Sequence, residues 1–286
     1  MTLREVLDRA RRDAGLSAEK VHEFEYVVAE CSGWTRSDLL LHLNVPAGKE
    51  FEMVGGQIAR RLAQGCPAEY IIGSASFRDI VVRVEQGVLI PRPETEQLVQ
   101  MVIDVVMNEG LRTVTVLDVC SGSGAIALSI AKALPGAVVV GLEIDSTSVS
   151  CSRQSARDMG LSGRVSFVQG NVLGSWQLAF KGVHRSVDVV VSNPPYVRRD
   201  RLASACESSP LEPVHALYGG VSGLTFYRRI IAEAPGWLRS GGMLLLEIDD
   251  GLEDDILNLC ERYGLKGARW LPDFRRFPRY VEARRE

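Results

Sequence analysis

From Thr113 onward, short apolar segments alternate with helical segments, and this alternation limits the possible folds more than any other feature of the chain. Apolar strands that alternate with helices pack as a mostly parallel sheet covered on both faces. We predict strands at Thr113–Val119, Val138–Ile144, Val165–Gln169, Val187–Ser192, Met243–Ile248 and near Gly267–Leu271. We predict helices at Ala125–Leu134, Ser146–Met159, Leu224–Ala234 and Leu252–Tyr263. The fold class of this part is therefore α/β.

The first 75 residues have a different pattern, because helical spacing fills them and strand signals are absent. Thr2 and Glu5 form a capping box that opens the first helix, and Thr35 is a cap for a later one. Residues 76–93 follow, with a predicted hairpin of Ile80–Val84 and Val88–Ile90. We therefore expect a small helical domain at 1–75, a hairpin linker at 76–93 and an α/β domain at 94–286.

Composition excludes several classes of protein. The chain has 33 Lys and Arg against 36 Asp and Glu, whereas proteins that hold nucleic acid by its phosphates carry a basic surplus. The six cysteines are scattered without a C-x-x-C pair, so neither a disulfide framework nor a metal site is indicated. Neither a secretory signal nor an 18-residue apolar run is present in the sequence. We expect a reduced, cytoplasmic protein.

A glycine-rich turn follows the first strand of the α/β domain. Gly122 and Gly124 stand between strand and helix in the pattern G-x-G-x-x-A, where backbone approaches a ligand closely and a helix N-terminus is exposed. Glu143 ends the next strand and can accept hydrogen bonds from ribose hydroxyls. Both NAD and S-adenosylmethionine use this geometry. Asp118 favours S-adenosylmethionine, because a carboxylate there suits an ammonium group and repels a pyrophosphate.

The strand Val187–Ser192 leads directly into Asn193-Pro194-Pro195-Tyr196. The two prolines remove N–H donors and leave carbonyl acceptors, and Asn193 adds a side-chain carbonyl. Tyr196 adds a flat apolar face. These groups suit a planar NH₂ group, since they offer two acceptors for its hydrogens and a surface for its plane.

This loop, downstream of the glycine turn, resembles that of the amino-methyltransferases. Further segments are similar to the PrmC/HemK family, which methylates the side-chain amide of the Gly-Gly-Gln glutamine in peptide chain release factors. These segments are Pro91-Arg92-Pro93-Glu94-Thr95-Glu96, Glu212-Pro213-x-x-Ala216-Leu217, Gly219-Gly220-x-x-Gly223-Leu224-x-x-Tyr227-Arg228, Gly241-Gly242 before Leu244–Ile248, and Asp273 with Arg279. The resemblance covers nearly the whole chain.

The resemblance implies a class I S-adenosylmethionine-dependent methyltransferase fold with an N-terminal helical domain that binds the substrate. It implies S-adenosylmethionine as cofactor and release factors as partners, without stable nucleic-acid or membrane binding. Asn193, Pro194 and Tyr196 are the expected catalytic residues, and Pro195 joins them in substrate binding. The expected cofactor-binding residues are Asp118, Cys120, Ser121, Gly122, Ser123, Gly124, Glu143, Asn171, Val172 and Asn193.

Three positions and one segment depart from the family pattern. Cys120 replaces a glycine, Glu143 replaces an aspartate, and Asn171 stands where an acidic residue is expected near the adenine amine. Asp249-Asp250-Gly251 replaces Gly-x-x-Gln after the fifth strand. These changes bear on cofactor affinity and leave the predicted cofactor unchanged.

Three other functions compete with this interpretation. A nucleic-acid amino-methyltransferase acting on adenine or guanine needs a basic recognition region, but residues 1–75 carry 9 Lys and Arg against 11 Asp and Glu. An NAD-dependent oxidoreductase leaves Asn193–Tyr196 without a role, and a non-catalytic binding module is disfavoured because that loop is intact. His184 and His215 are lone histidines to which we assign no catalytic role.

Overall fold

The computed structural model describes residues 1–286, with the exception of the Glu50 side chain. The chain forms two compact units, Met1–Ser74 and Ala75–Glu286. Residues 76–93, which the sequence assigns to a linker, therefore lie within the second unit.

The first unit is helical. Its helices are α1 (Leu3–Ala14), α2 (Val21–Cys31), α3 (Arg36–His42), α4 (Lys49–Ala63) and α5 (Ala68–Ile72). Both expected caps form, since the Thr2 and Thr35 side chains accept from the backbone N–H three residues on, and Glu5 and Asp38 bond back. The predicted helical character of this region is confirmed. Their core is fully buried at Phe24, Val27, Val28, Leu39, Ala59 and Leu62.

The predicted hairpin of Ile80–Val84 with Val88–Ile90 is wrong, because Ile80–Arg83 pairs with the segment before it. Strand β1 (Ser74–Phe77) pairs with β2 (Ile80–Arg83), and residues 88–90 are not a strand. The turn falls at Arg78, whose φ is +52° and whose N–H donates to Glu96 Oε1 at 2.9 Å. This long-range contact fixes the turn at Arg78, so the hairpin lies closer to the N-terminus than predicted. The spacing of apolar residues does not reveal such a contact.

The remainder of the second unit alternates strands and helices. The helices are α6 (Pro93–Asn108), α7 (Ala125–Ala133), α8 (Ser146–Asp158), α9 (Trp176–Ala179), α10 (Arg199–Ser208), α11 (Val214–Leu217), α12 (Thr225–Trp237) and α13 (Glu253–Arg262). The strands are β3 (Val114–Val119), β4 (Ala137–Glu143), β5 (Val165–Gln169), β6 (Val187–Ser192), β7 (Leu238–Glu247), β8 (Leu265–Pro272) and β9 (Pro278–Arg285).

Seven strands form one sheet in the order β5-β4-β3-β6-β7-β9-β8. The first five are parallel, and β9 runs antiparallel to both β7 and β8. The last strand of the chain therefore lies inside the sheet, and it was not predicted. The mostly parallel α/β fold is confirmed.

Strands β3 and β6 are neighbours in the sheet but not in the sequence. The chain order reverses at this point, and a crevice opens beyond the carboxyl ends of the strands, where ligands of open α/β sheets bind. The glycine turn follows β3 and the Asn193 loop follows β6. The fold thus brings the two predicted motifs to one edge of the sheet.

Candidate active site

The glycine turn between β3 and α7 depends on left-handed backbone. Cys120, Gly122 and Gly124 have φ of +62°, +53° and +80°. A Cβ on Gly124 would lie 2.6 Å from the Phe167 ring and 2.8 Å from Ser152 Cβ. Gly124 is therefore required for packing against β5 and α8, whereas Gly122 has open space around it.

Glu143, at the end of β4, is tied to this turn. Its Oε2 accepts from Gly122 N–H and its Oε1 from Asp145 N–H, both at 2.8 Å. The carboxylate is 8% exposed. The Gly122 N–H, which could otherwise bind a pyrophosphate, is thus already bonded to the Glu143 carboxylate, whose negative charge would repel a pyrophosphate. This arrangement disfavours a dinucleotide and suits a cationic ligand with free ribose hydroxyls.

Asp118 lies buried behind the turn. Its Oδ2 accepts from Ala127 N–H at 3.1 Å, while its Oδ1 has no hydrogen-bond partner among the described side chains and backbone. Burial raises the pKa of Asp118 to about 7, and nearby Glu143 adds to the shift while the Ala127 N–H opposes it. A neighbouring ammonium group would favour the charged form of this carboxyl.

A cavity of about 170 Å³ opens beside Glu143. It is lined by Leu89, Cys120, Gly122, Leu142, Glu143, Ile144, Gly170, Asn171, Val172, Leu173, Asn193, Pro195, His215, Ala216 and Phe226. Six predicted cofactor residues are in this set: Cys120, Gly122, Glu143, Asn171, Val172 and Asn193. Among the described residues, Asp118, Ser121, Ser123 and Gly124 stand outside it and support the turn from behind.

Several lining residues carry no role in the sequence analysis. Leu89 precedes the Pro91-Arg92-Pro93 segment, His215 and Ala216 belong to α11, and Phe226 belongs to α12. Leu89, Ala216 and Phe226 are apolar, and the sequence pattern does not distinguish them from ordinary core residues. Asn171 lines the cavity, and its Oδ1 accepts from Leu173 N–H at 2.9 Å.

A second, narrow cavity of about 40 Å³ adjoins the first. It is lined by Leu89, Arg92, Asn193, Pro194, Tyr196, Val197, Ala216 and Leu217. Leu89, Asn193 and Ala216 line both cavities. Pro195 lines the larger cavity, so the four residues of the loop are divided between the two spaces.

The Asn193 side chain is held by a chain of hydrogen bonds. Asn193 Nδ2 donates to Thr95 Oγ1 at 3.0 Å, and Thr95 Oγ1 donates to Glu247 Oε2 at 2.7 Å. The acceptor end of the amide is therefore directed away from Thr95. Sequence analysis missed Thr95 and Glu247 as site residues, although a carboxylate that ends the apolar run Leu244–Leu246 was an available signal.

The backbone of the loop is braced by the segment that follows α11. Val197 N–H donates to Leu217 O at 2.8 Å, and Gly219 N–H donates to Val197 O at 2.9 Å. A Cβ on Gly219 would lie 2.6 Å from Tyr196 Cα, so this approach requires glycine. Burial raises the pKa of Tyr196 well above its ordinary value, with a smaller contribution from Glu247, so its phenol stays neutral.

Glu212 ties this brace to the segment before α6. It is 6% exposed, accepts from Ile90 N–H at 3.2 Å and pairs with Arg92 through a short contact. Glu212 therefore joins two of the segments that carry the family resemblance, and Arg92 and Ala216 of these segments line the narrow cavity.

Within the described residues, no cluster of His, Cys, Asp and Glu could hold a metal ion. No helix in the described part of the chain is long and apolar enough to span a membrane.

Comparison with known proteins gives consistent matches. The family model "Methyltransferase small domain" matches residues 95–207, and "PrmC N-terminal domain" matches residues 5–73. The release factor glutamine methyltransferase of Gloeobacter violaceus is 34% identical over 88% of this chain and 87% of its own. That of Moorella thermoacetica is 34% identical over 96% of this chain and 95% of its own.

A solved 16S rRNA methyltransferase of T. thermophilus, in complex with AdoMet and guanosine, superposes with a TM-score of 0.53. It is 20% identical, and the match covers 74% of this chain and 50% of that one. At this level of identity the likeness concerns the fold.

Proposed function

Because the chain belongs to the release factor glutamine methyltransferase family, we propose that it methylates the side-chain amide nitrogen of the Gly-Gly-Gln glutamine in peptide chain release factors. S-adenosylmethionine is the methyl donor of this proposed reaction. The observation that carries the proposal is the position of Asn193, which lines both the 170 Å³ cavity and the narrow cavity beside it.

The residues of the larger cavity fit this cofactor. Glu143 offers carboxylate lone pairs to ribose hydroxyls, and Leu142, Leu173 and Phe226 supply apolar surface for a flat base. The unpartnered Oδ1 of Asp118 supplies negative charge behind the turn. When bound, S-adenosylmethionine supplies a methyl group made electrophilic by the attached sulfonium.

The narrow cavity suits a primary amide. Asn193 Oδ1 and the Pro194 carbonyl accept its two hydrogens, and Tyr196 packs against its plane. Burying an amide without such partners costs roughly 2–7 kcal/mol, so these acceptors also contribute to binding. Because both hydrogens are held, the nitrogen is aimed towards the cavity that Asn193 shares.

The loop residues act by orientation. An amide nitrogen is a weak nucleophile because its lone pair is delocalised, and the neutral Tyr196 does not act as a base. Fixing the reacting groups in line contributes about 7–11 kcal/mol to lowering a barrier. The proton leaves after methyl transfer, when the nitrogen is strongly acidic.

The helical residues 1–75 are proposed to recognise the folded release factor. Their near-neutral balance of 9 basic and 11 acidic residues suits a protein surface better than a phosphate backbone. Binding energy from such remote contacts can be used to orient the reacting amide. The proposed partner also implies a cytoplasmic enzyme.

The test is labelling of a purified release factor with radiolabelled S-adenosylmethionine. Label on the Gly-Gly-Gln glutamine, and its absence from a factor with that glutamine changed to alanine, supports the proposal. A short Gly-Gly-Gln peptide should be a much poorer substrate than the folded factor. Label transferred to tRNA, rRNA or DNA, with the factor unlabelled, would reject the proposal in favour of a nucleic-acid methyltransferase.

A further inference from the structure

Three polar side chains from distant segments meet beside the narrow cavity. Asn193 follows β6, Thr95 lies in the first turn of α6, and Glu247 is the last residue of β7. The Asn193–Thr95 and Thr95–Glu247 bonds measure 3.0 Å and 2.7 Å. Thr95 is 5% exposed and Glu247 is 1% exposed, so bulk water does not compete for either partner.

The direction of this chain follows from counting protons. An ionised carboxylate only accepts hydrogen bonds, so the single Thr95 hydroxyl proton is directed to Glu247. The Thr95 oxygen is then left with lone pairs facing Asn193, and only the NH₂ end of that amide can satisfy them. If Asn193 turned over, its Oδ1 would face the Thr95 lone pairs and leave buried polar groups unpaired, which costs about 1–3 kcal/mol.

From this geometry, and resting on the proposed role of Asn193 as an acceptor, we infer that Thr95 and Glu247 are positioning residues for methyl transfer. They fix the Asn193 amide with its Oδ1 towards the acceptor cavity. Neither touches the substrate, and both act through Asn193.

The relay depends on the charge of Glu247. Burial raises the pKa of Glu247 to about 7; the Thr95 hydroxyl, Arg279 and Arg92 lower it, and Glu94 raises it. Asp249 and Asp273 are further acidic groups in this region, and Tyr196, Tyr227 and Tyr280 are titratable groups that stay neutral there because burial raises the pKa of each. A protonated Glu247 can donate to Thr95, which frees the Thr95 proton to turn towards Asn193 and reverses the relay.

The first experiment removes the Thr95 hydroxyl at constant shape. In Thr95→Val we expect kcat for release factor methylation to fall about 10- to 100-fold, with the S-adenosylhomocysteine Kd within about twofold of wild type. Thr95→Ser retains the hydroxyl and should recover most of the rate. Thr115→Val makes the same chemical change near the start of β3, away from the crevice, and serves as the matched control.

A double substitution separates positioning from general support of the fold. If Thr95 acts through Asn193, adding Thr95→Val to Asn193→Ala should change kcat by less than about twofold. Independent, multiplying losses would overturn the inference. So would a Thr95→Val enzyme that methylates at the wild-type rate.

A spectroscopic measurement keeps the relay testable apart from the reaction. The side-chain NH₂ signals of Asn193, assigned by their loss in Asn193→Ala, should show slow hydrogen exchange in wild type. We expect this exchange to be at least about tenfold faster in Thr95→Val and nearly unchanged in Thr115→Val. Equal exchange in Thr95→Val and wild type would overturn the relay. Wild-type enzyme that leaves the release factor unlabelled would instead overturn the proposed function, while the exchange data still decide the relay.

Discussion

The two sides of the crevice, which we propose to bind the cofactor and the methyl acceptor, are built differently. On the cofactor side, Glu143 bonds to residues 21 and 2 positions away, and Asp118 to a residue 9 positions away. On the acceptor side, Asn193 and Thr95 are 98 positions apart and Thr95 and Glu247 are 152 apart.

This difference explains why the two sides have different sequence signatures. A glycine turn with an acidic residue one strand later forms within a single β-α-β unit, so its pattern recurs in many proteins. The acceptor side requires segments from most of the second unit. We therefore expect specificity for the methyl acceptor to depend on the long-range contacts, and damage to either side should leave the other measurable.

The largest effect should come from Asn193→Ala, which removes an acceptor at the reacting amide. Loss of one such positioned contact commonly lowers the rate about 10²–10³-fold. We expect single-turnover methylation to fall by this factor, while calorimetry gives a far smaller change in the S-adenosylhomocysteine Kd, because Asn193 is only one of the residues that line the larger cavity. Asn108→Ala, an exposed asparagine at the end of α6, is the control. A wild-type rate in Asn193→Ala would refute the proposed mechanism.

Gly122→Val should produce the converse result. Gly122 lines the cofactor cavity, so the isopropyl group enters the cavity and S-adenosylhomocysteine should bind at least about tenfold more weakly, or 1.4 kcal/mol. Gly110→Val is the matched control, because Gly110 has a similar φ of +65° and open space but lies outside the cavity. Equal losses of S-adenosylhomocysteine affinity in Gly122→Val and Gly110→Val would mean that backbone strain, and not a side chain in the cavity, weakens binding.

The third prediction uses one buried carboxyl on each side. Burial raises the pKa of both Glu247 and Asp118 to about 7. As pH falls through 7, wild-type kcat should decline up to about tenfold per pH unit as Glu247 is protonated. Cofactor affinity should decline severalfold as Asp118 loses its charge. Glu247→Gln should remove the pH dependence of kcat and leave that of cofactor affinity. Asp118→Asn should remove the pH dependence of cofactor affinity and leave that of kcat.

Folding stability should increase as pH falls, whereas the methylation rate and the cofactor affinity decrease. Both pKa values lie above the ordinary values of 4.5 and 3.8, so the native state binds more protons than the unfolded state between those values and 7. Each group therefore lowers the free energy of unfolding as pH rises through this window. Urea denaturation at pH 5, 6, 7 and 8 measures this trend. If the trend is absent from a variant that combines Glu247→Gln with Asp118→Asn, these two carboxyls are its cause.

The smallest effect concerns Cys120, which adopts a φ of +62° where the family has glycine. A left-handed non-glycine residue costs about 1–2 kcal/mol, while glycine loses about 0.5–1 kcal/mol through the unfolded state. Cys120→Gly should therefore raise the free energy of unfolding by roughly 0.5 kcal/mol, measured by urea denaturation. Cys120→Ala keeps the strain and should not raise it. The methylation rate at saturating cofactor should not change in Cys120→Gly.

Much of the fold could be predicted because its signals are local. Val165–Gln169 and Val187–Ser192 are strands with the predicted bounds, since each is a short run of alternating or continuous apolar residues. Strand β9 was missed because Pro278–Arg285 is rich in arginine and its apolar residues, among them Tyr280 and Val281, acquire meaning only between two neighbouring strands.

In the site, too, residues with local sequence signals could be predicted and residues that depend on long-range contacts could not. The cavity-lining Gly122, Glu143 and Asn193 carry recognisable spacing. Gly124 was expected to let backbone approach a ligand, whereas its space is occupied by Phe167 of β5, which spacing within the turn cannot reveal. Neither Thr95 nor Glu247 carries a functional signal in its own segment, and the role that we propose for them depends on three strand and helix ends that meet only in the fold.

The inner position of β9 has a consequence for biosynthesis. The glycine turn and Glu143 lie on strands that are complete by residue 169, whereas the Tyr280 hydroxyl, from the last strand, bonds to Glu94 O at 2.6 Å, directly beside Thr95. A chain emerging from the ribosome N-terminus first thus carries Gly122 and Glu143 well before Glu247 and Tyr280. The final eight-residue strand completes both the sheet and the surroundings of Thr95 and Glu247, so clipping the C-terminus should remove these acceptor-side contacts while every residue that lines the larger cavity stays in the chain.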